Sequence, residues 1–313
     1  MRIQEIKATL ITVSFILGLG LAMGLFFYPD GFQVVIFGLL IGGFYALAAL
    51  GLSLIYGVMG VLNFAHGDLL ILGSYISFWV FTLYGIDPLL SIVFSSIALA
   101  AMGLLLEQMV FKKTIKHGMD STLLAAFGLM IMMEELMRMA WSADTRAITT
   151  AYSGNSIAIS TGLVIPIVRL ISFGVATFLV IFLYIFMTKT YPGKALRASA
   201  IDKDAAGLYG VNVGATYLLG FVLGTALAGQ AGTLYAIVYS FTPTTGPILV
   251  LKLFTVVILG GLGSLLGTFL AALIIGVLES SASFLMGAGY GDLLLLVVFL
   301  LVLIVKPKGL LGR

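Results

Sequence analysis

The stretch GVMGVLNFAHGDLLILGSY, residues 57–75, places the polar side chains of Asn63, His66 and Asp68 between two long apolar runs. Each run is close to the length of helix, about 20 residues, that crosses the hydrocarbon core of a bilayer. A polar cluster between two such runs needs a physical reason. The candidates are a helix break or turn, a site for a ligand, and a path for a proton.

Composition indicates the class of protein. Of the 313 residues, 61% are apolar and 9% are charged, and the mean hydropathy is +1.19. These values are typical of a polytopic integral membrane protein and argue against a soluble globular core. The chain has no cysteine, which excludes disulfides, thiolate metal sites and cysteine nucleophiles, and its two histidines leave little for a metal cluster. We therefore expect no bound metal.

Apolar segments divide the chain, and each predicts a helix or a half-helix, because in a bilayer only helices satisfy their own backbone groups over such lengths. We predict a single all-α transmembrane domain over 1–313 with about 8–10 transmembrane helices or half-helices of about 20 residues each. The segment at 9–27 is interpreted as a retained first span. The segments lie near 9–27, 32–56, 67–84, 89–110, 122–140, 167–188, 216–240, 249–262, 264–286 and 289–305.

Lys and Arg residues predict the orientation, because cytoplasmic loops are enriched in both. Twelve of the sixteen fall in four groups on one predicted side, whereas the opposite loops, including the long one at about 141–166, hold only Arg146. Both termini are then cytoplasmic, provided that 249–286 crosses twice and reverses at GGLGS, residues 260–264. The four groups are Arg2 and Lys7; Lys112, Lys113 and Lys116; Lys189, Lys194, Arg197 and Lys203; and Lys306, Lys308 and Arg313.

Two segments interrupted by glycine stand out: GVMGVLNFAHGD at 57–68 and ILGGLGSLLG at 258–267. Discontinuous helices in corresponding places of two halves indicate a translocation path, because unwound backbone offers hydrogen-bonding groups to a polar solute. Glycine is also enriched in membrane helices that only pack closely. Both interpretations stay open at this point.

The cytoplasmic stretch at about 189–213, KTYPGKALRASAIDKDAAGLYGVNV, is the longest charged segment. We predict a short amphipathic helix within 194–209, closed by Gly210 and burying Leu196, Ala200, Ala206 and Leu208. Such a helix suits a docking element, with a solvated loop as the alternative.

This stretch resembles the cytoplasmic coupling loop of the branched-chain amino-acid class of ABC importer permeases. The residues that carry the resemblance are Gly193, Arg197, Ala198, Asp202, Ala206 and Gly210. The segment at 51–75 resembles the H-type membrane subunit of that class through Asn63, Phe64, His66 and Gly67. Two further segments, at 256–279 and 306–312, are also similar to the family.

The resemblance implies an ABC importer permease fold in the bacterial cytoplasmic (inner) membrane. It also implies four kinds of partner: a homologous M-type permease subunit, two cytoplasmic ATPase subunits, an external solute-binding protein and membrane lipid. ATP and Mg²⁺ would bind to the ATPases, since 1–313 contains no G-x-x-x-x-G-K-[ST] loop. We therefore expect a transport subunit that works by alternating access and is not itself an enzyme. The resemblance places coupling in the loop above. From the two glycine-interrupted segments and the count of crossings we expect a translocation path or gate, with the residues Asn63, Phe64, His66, Gly67, Gly260, Gly261 and Gly263.

Two other functions are alternatives to the import of branched-chain or related amino acids. Family members also move urea and short amides, which makes such a permease the nearest alternative. In an ion-coupled secondary transporter, a different class, His66 and Asp68 would relay protons. Within the break we expect Asn63 to cap a helix that starts near Phe64. For the role of the break as a whole, we prefer a structural cap and gate, followed by direct contact with the solute and then by a proton relay.

The remaining charged residues in apolar segments are functional candidates by default. Glu134, Glu135 and Arg138 have the spacing of a helical ion pair. Lys252 is expected to extend outward to the membrane surface, and Glu279 to lie near a cytoplasmic end. The external segment at 142–162 is long enough to form short strands and to touch a binding protein.

Overall fold

The computed structural model describes residues 31–160, 163–305 and 309–311. The predicted first span at 9–27 lies outside the described residues. So do the basic residues near the two ends, Arg2, Lys7, Lys306, Lys308 and Arg313.

The described part of the chain is almost entirely helical, as predicted. In chain order the helices are α1 Gly31–Met59, α2 His66–Tyr84, α3 Pro88–Leu106, α4 Met119–Trp141, α5 Ile167–Lys189, α6 Tyr191–Ile201, α7 Lys203–Leu208, α8 Val213–Val238, α9 Thr245–Gly260, α10 Leu265–Met286 and α11 Ala288–Val305. Helix α3 continues through a π-helical turn, Glu107–Phe111, a short helical segment, Lys112–Thr114, and a 3-10 turn, Ile115–His117.

Six helices of the described residues are long and apolar enough to cross a membrane: α1, α2, α3 extended to His117, α5, α8 and α10. The described residues also form two shorter apolar helices, α9 and 289–304. The predicted span at 122–140 forms α4, which is not among the six and carries Glu134, Glu135 and Arg138 in its C-terminal half.

Helices α1 and α8 form the centre of the bundle, with α10 against α1, and α2 and α3 against α8. Glycine allows these backbones to approach each other. A side chain at Gly42 of α1 would begin 2.8 Å from the Cα atom of Leu273 in α10, and one at Gly224 of α8 would begin 2.7 Å from the Gly51 carbonyl oxygen. The predicted role of small residues in close helix packing is confirmed here.

The turn between α2 and α3 shows how local sequence ends and starts spans. Gly85, with φ +65°, closes α2 in the left-handed conformation. Asp87 then accepts a hydrogen bond from the Leu89 N–H at 2.9 Å, and Pro88 occupies the first turn of α3. Two candidate spans are thus joined by a short turn.

The segment between α4 and α5, predicted to be external, folds onto the ends of neighbouring helices. Two short antiparallel strands, β1 Ser156–Ser160 and β2 Leu163–Pro166, confirm the prediction of short strands. The Tyr152 hydroxyl donates to Asp87 Oδ1 at 3.2 Å. Burial and the neighbouring Asp87 carboxylate raise the pKa of Tyr152, so this phenol keeps the proton that it donates.

Candidate functional site

The first glycine-rich break makes the chain re-enter the bundle. Helix α1 ends at Met59, Gly60 has φ +69°, and α2 begins at His66. There His66 Nε2 lies 3.1 Å from the carbonyl oxygen of Ala48. Since Ala48 precedes Met59 by eleven residues, or about 16 Å of helix rise, α2 starts well inside the bundle and not at the edge where α1 ends.

Asn63 stabilises the turn before α2 and does not cap the helix. Its Oδ1 accepts from the Ala65 N–H at 3.2 Å, and its carbonyl oxygen accepts from the His66 N–H at 3.2 Å. The prediction of a helix starting near Phe64 was therefore wrong by two residues. The physical reason is that an asparagine oxygen bonded to the N–H two residues ahead forms an Asx turn, which holds Phe64 and Ala65 outside the helix.

His66 is wedged between α1 and α8 with no exposed surface. A carbonyl oxygen can only accept, so the contact with Ala48 places the imidazole proton on Nε2. A side chain at Gly51 would begin 3.1 Å from the His66 Cε1 atom, and Gly51 also contacts Gly224 of α8. The ring therefore fills a slot that exists because Gly51 has no side chain.

Gly67 and Asp68 contact the first turn of α9. A side chain at Gly67 would overlap the Gly246 carbonyl, and one at Gly246 would overlap the Asp68 carboxylate. Asp68 lies in the first turn of α2, as expected, and is fully buried. Among the described residues, neither carboxylate oxygen of Asp68 nor Nδ1 of His66 has a hydrogen-bond partner. No hydrogen bond links these two side chains among the described residues.

Phe64 connects the break to two other helices. Its ring stacks on Phe127 of α4 with the centroids 4.0 Å apart, and meets Phe254 of α9 edge-on at 4.9 Å. Through Phe64 a displacement of the break would reach both α4 and α9.

The second break, between α9 and α10, reverses the chain as predicted. Gly261 and Gly263 have φ values of +98° and +79°, which side chains rarely tolerate. Gly260 then packs directly against Gly267 in the first turn of α10. The end of α9 is also covered by the C-terminal segment, where the Leu310 N–H donates to the Leu259 carbonyl at 2.7 Å.

The two breaks touch each other. A side chain at Gly57 would begin 3.0 Å from the Gly263 Cα atom. The two glycine-interrupted segments, 206 residues apart in the sequence (263 − 57), are therefore brought together at one point of the bundle.

The stretch predicted to hold one amphipathic helix forms two, α6 and α7. Asp202 separates them with an extended backbone, and its Oδ1 accepts from the N–H groups of Asp204 and Ala205 at 2.9 Å each. An aspartate that caps the next helix ends the previous one, which is why the single-helix prediction was wrong. Gly210, with φ +82°, follows the end of α7, as predicted.

One face of α6 and α7 is buried and the other is exposed. Gly193 lies against the backbone of Met187 in α5, and Leu196 and Ala206 are buried, as predicted. The prediction that Ala200 and Leu208 are buried was wrong, since both side chains are exposed. Leu208 is 90% exposed because it lies at the end of α7, beyond the surface that the bundle covers. The exposed face also presents Arg197, Asp202, Lys203 and Tyr209, a mixture of charged and apolar groups.

A cavity of about 1230 Å³ joins these features. Its walls come from the end of α1, from α5, from α6 and α7, and from the second break. Residues that line it include Gly57, Arg197, Ala198, Asp202, Gly263 and Ser264. Helices α6 and α7 thus lie on the same cavity as the contact between the two breaks.

Residues 34–303 match the family model described as branched-chain amino acid transport system / permease component. The chain belongs to this permease family.

Relatives of this permease extend over almost its whole length. It is 34% identical over 294 residues to the "High-affinity branched-chain amino acid transport system permease protein BraD" of Pseudomonas aeruginosa, covering 90% of this chain and 95% of the relative. It is 30% identical to the LivH permease protein of Escherichia coli strain K12, covering 88% and 94%. A probable LivH of Methanocaldococcus jannaschii is 31% identical, covering 85% and 88%. The permease is thus an integral membrane component of an ABC-type transport system.

The structure also pairs charged residues inside the spans. Arg138 of the permease binds Glu134 at 2.7 Å and Glu135 at 3.0 Å, which confirms the predicted ion pair. The expectation that Lys252 extends outward was wrong, because its side chain is 15% exposed and binds Glu279 at 2.8 Å between α9 and α10. Opposite charges in two consecutive apolar segments were the signal that sequence analysis missed.

Proposed function

We propose that this permease is the H-type subunit of an ATP-driven importer for branched-chain or related amino acids. It pairs with a homologous M-type subunit, two cytoplasmic ATPase subunits and an external solute-binding protein. ATP and Mg²⁺ bind to the ATPases, and this chain hydrolyses no nucleotide. It lies in the bacterial cytoplasmic membrane with both termini inside. The names of its relatives support the substrate class, and the basic groups at 112–116 and 189–203 support the orientation.

Coupling is assigned to α6 and α7. Gly193 and Ala206 are buried and hold the two helices against the bundle, whereas Arg197 and Asp202 are exposed and available to a groove of an ATPase. Ala198 lines the cavity behind them. Gly210 ends the element, which leaves a compact unit that an ATPase can displace as a whole.

The gate is assigned to the two breaks. Their contact at Gly57 and Gly263 lies on the cavity that α6 and α7 also line, and this shared cavity is the observation that carries the proposal. When the ATPases close around ATP, displacement of α6 and α7 changes the cavity and moves the breaks relative to each other. Asn63, Phe64, His66 and Gly67 transmit that movement to α1, α4 and α9. Such a shift between two packed arrangements is alternating access.

Uptake by the complete importer tests the proposal. The two permease subunits, the ATPases and the cognate binding protein are reconstituted in liposomes that contain ATP, and accumulation of radiolabelled leucine is compared with that of urea. We expect leucine accumulation that requires ATP and the binding protein. Accumulation of urea that leucine does not inhibit would instead identify a urea or amide permease, and leucine uptake driven by a proton gradient without ATP would identify a secondary transporter.

A further inference from the structure

Lys252 of α9 lies between two carboxylates inside the helix bundle. Its Nζ is 2.8 Å from Glu279 Oε1 in α10 and 2.6 Å from Asp292 Oδ1 in α11. The Lys252 and Glu279 side chains are 15% and 13% exposed, whereas Asp292 is 53% exposed. The three groups carry one positive and two negative charges, so one carboxylate is in excess.

Aromatic residues of α1 and α8 flank this cluster. The Tyr45 hydroxyl donates to the other oxygen of Glu279, Oε2, at 2.6 Å. Phe44 packs against both Tyr45 and Tyr235 with centroids 5.5 Å apart. Tyr235 also packs against Tyr239 in the same helix, with the ring centroids 5.0 Å apart. Charged groups and apolar rings are therefore presented side by side.

Ionised side chains in membrane spans are costly, and they face a bundle interior or a polar path where they persist. A structural tie between α9 and α10 needs one cation and one anion. Here the second carboxylate, Asp292, competes for the same Lys252 ammonium and remains half exposed. A cation shared between a buried and an exposed carboxylate is suited to exchanging the exposed one for a carboxylate that arrives from outside.

We propose that Lys252 and Glu279 form a binding site for the charged groups of a zwitterionic α-amino acid, an inference that rests on the proposed function and specifies its substrate contacts. The substrate carboxylate replaces Asp292 at Lys252, and the substrate ammonium binds Glu279. Its apolar side chain lies against the rings of Phe44 and Tyr235. The substrate brings one positive and one negative charge, so its two charged groups are both paired while Asp292 gives up its contact with Lys252.

The position of Lys252 connects this site to the gate. Lys252 precedes Gly260, the last residue of α9, by eight residues, or about 12 Å of helix rise. Occupancy that changes the partners of Lys252 therefore acts on the helix whose end forms the second break.

Direct binding tests the site. Radiolabelled leucine is titrated onto the complete complex of permease subunits and ATPases in nanodiscs, without the binding protein. We expect saturable binding that is displaced by unlabelled leucine and not by 4-methylpentanoate or 3-methylbutylamine, which each lack one charged group. Lys252→Gln and Glu279→Gln each weaken the affinity at least about tenfold, as expected for loss of a contact with a charged group. Asp292→Asn removes the competing carboxylate and tightens binding.

Two controls separate binding from stability. Glu135→Gln changes an exposed carboxylate of α4 and leaves the affinity unaltered. The double variant with Lys252→Gln and Glu279→Gln keeps two side chains that can hydrogen-bond between α9 and α10, so it assembles with the yield and melting temperature of the parent but does not bind leucine. Leucine binding by this double variant at parental affinity, displacement by either single-charge analogue, or weaker binding in Asp292→Asn would each overturn the site.

The outcomes also distinguish this site from the proposed function. If leucine uptake depends on ATP but the leucine affinity is the same in the Lys252 and Glu279 variants as in the parent, the proposed function stands and the binding site is wrong. If leucine binding depends on Lys252 and Glu279 but the complete complex takes up no leucine, the binding site stands and the proposed function is wrong.

Discussion

His66 shows how one residue can hold a helix break in place. Its Nε2–H donates to the Ala48 carbonyl, and its ring occupies the slot left by Gly51 between α1 and α8. The contact leaves His66 fully buried at the first residue of α2. The role that follows is mechanical and does not require a change of charge.

Replacing His66 by alanine tests this role. The variant removes the hydrogen bond that His66 donates to the Ala48 carbonyl and creates a void, changes that typically cost about 0.5–1.5 kcal/mol and about 2–5 kcal/mol respectively. We expect leucine uptake to fall severalfold while its dependence on pH keeps the parental shape. His117, exposed in the 3-10 turn after α3, is the matched control, and His117→Ala should leave uptake unchanged. Loss of the pH optimum in His66→Ala alone would restore the proton relay.

At the scale of elements, helix positions were predictable and helix breaks were less so. Apolar runs determine where a span lies, and the run at 67–84 became α2 within one residue of its start. The break at Asp202 was not predictable from composition, because aspartate occurs both within helices and as a cap. The hydrogen bonds that Asp202 accepts from the N–H groups of Asp204 and Ala205 show that it is a cap here and not part of a continuous helix.

The paired helices α6 and α7 give a second prediction. Arg197→Glu reverses a charge on their exposed face without touching the cap at Asp202, so the helices form but their contact with an ATPase is disrupted. We expect ATP hydrolysis that no longer responds to the loaded binding protein, and loss of uptake. Asp202→Lys should have the same effect and also weaken α7, whereas Asp202→Asn retains the cap and should keep more uptake than Asp202→Lys. Unchanged uptake in both Arg197→Glu and Asp202→Lys would remove the coupling role.

At the scale of the whole molecule, the proposed orientation is open to direct labelling, because the chain has no cysteine of its own. Tyr84 at the end of α2 and Leu208 at the end of α7 are 75% and 90% exposed. We expect Tyr84→Cys to react with a membrane-impermeant maleimide in intact spheroplasts and Leu208→Cys to react only after permeabilisation. The reverse pattern would place the termini outside.

The two glycine breaks could be predicted from the sequence, but their contact could not. The ion pair between Lys252 and Glu279 was not predicted either. The breaks carry a local pattern that is visible in the sequence. The meeting of Gly57 with Gly263, and of Lys252 with Glu279, depends on how α1, α9 and α10 pack. Packing of this kind depends on backbone approach at glycines such as Gly42, which composition alone does not specify.

The central claim is that α6, α7 and the two breaks form one unit that changes shape with the state of the ATPases. Ile201 and Leu266 line the shared cavity from opposite sides and are 67% and 56% exposed, so each can carry a spin label. The most direct measurement is the distance between labels at these two positions, by double electron–electron resonance, in the complete importer with and without ATP. We expect the distance distribution to shift when ATP closes the ATPases. An identical distribution in both states, while labels on the ATPases report closure, would contradict the account.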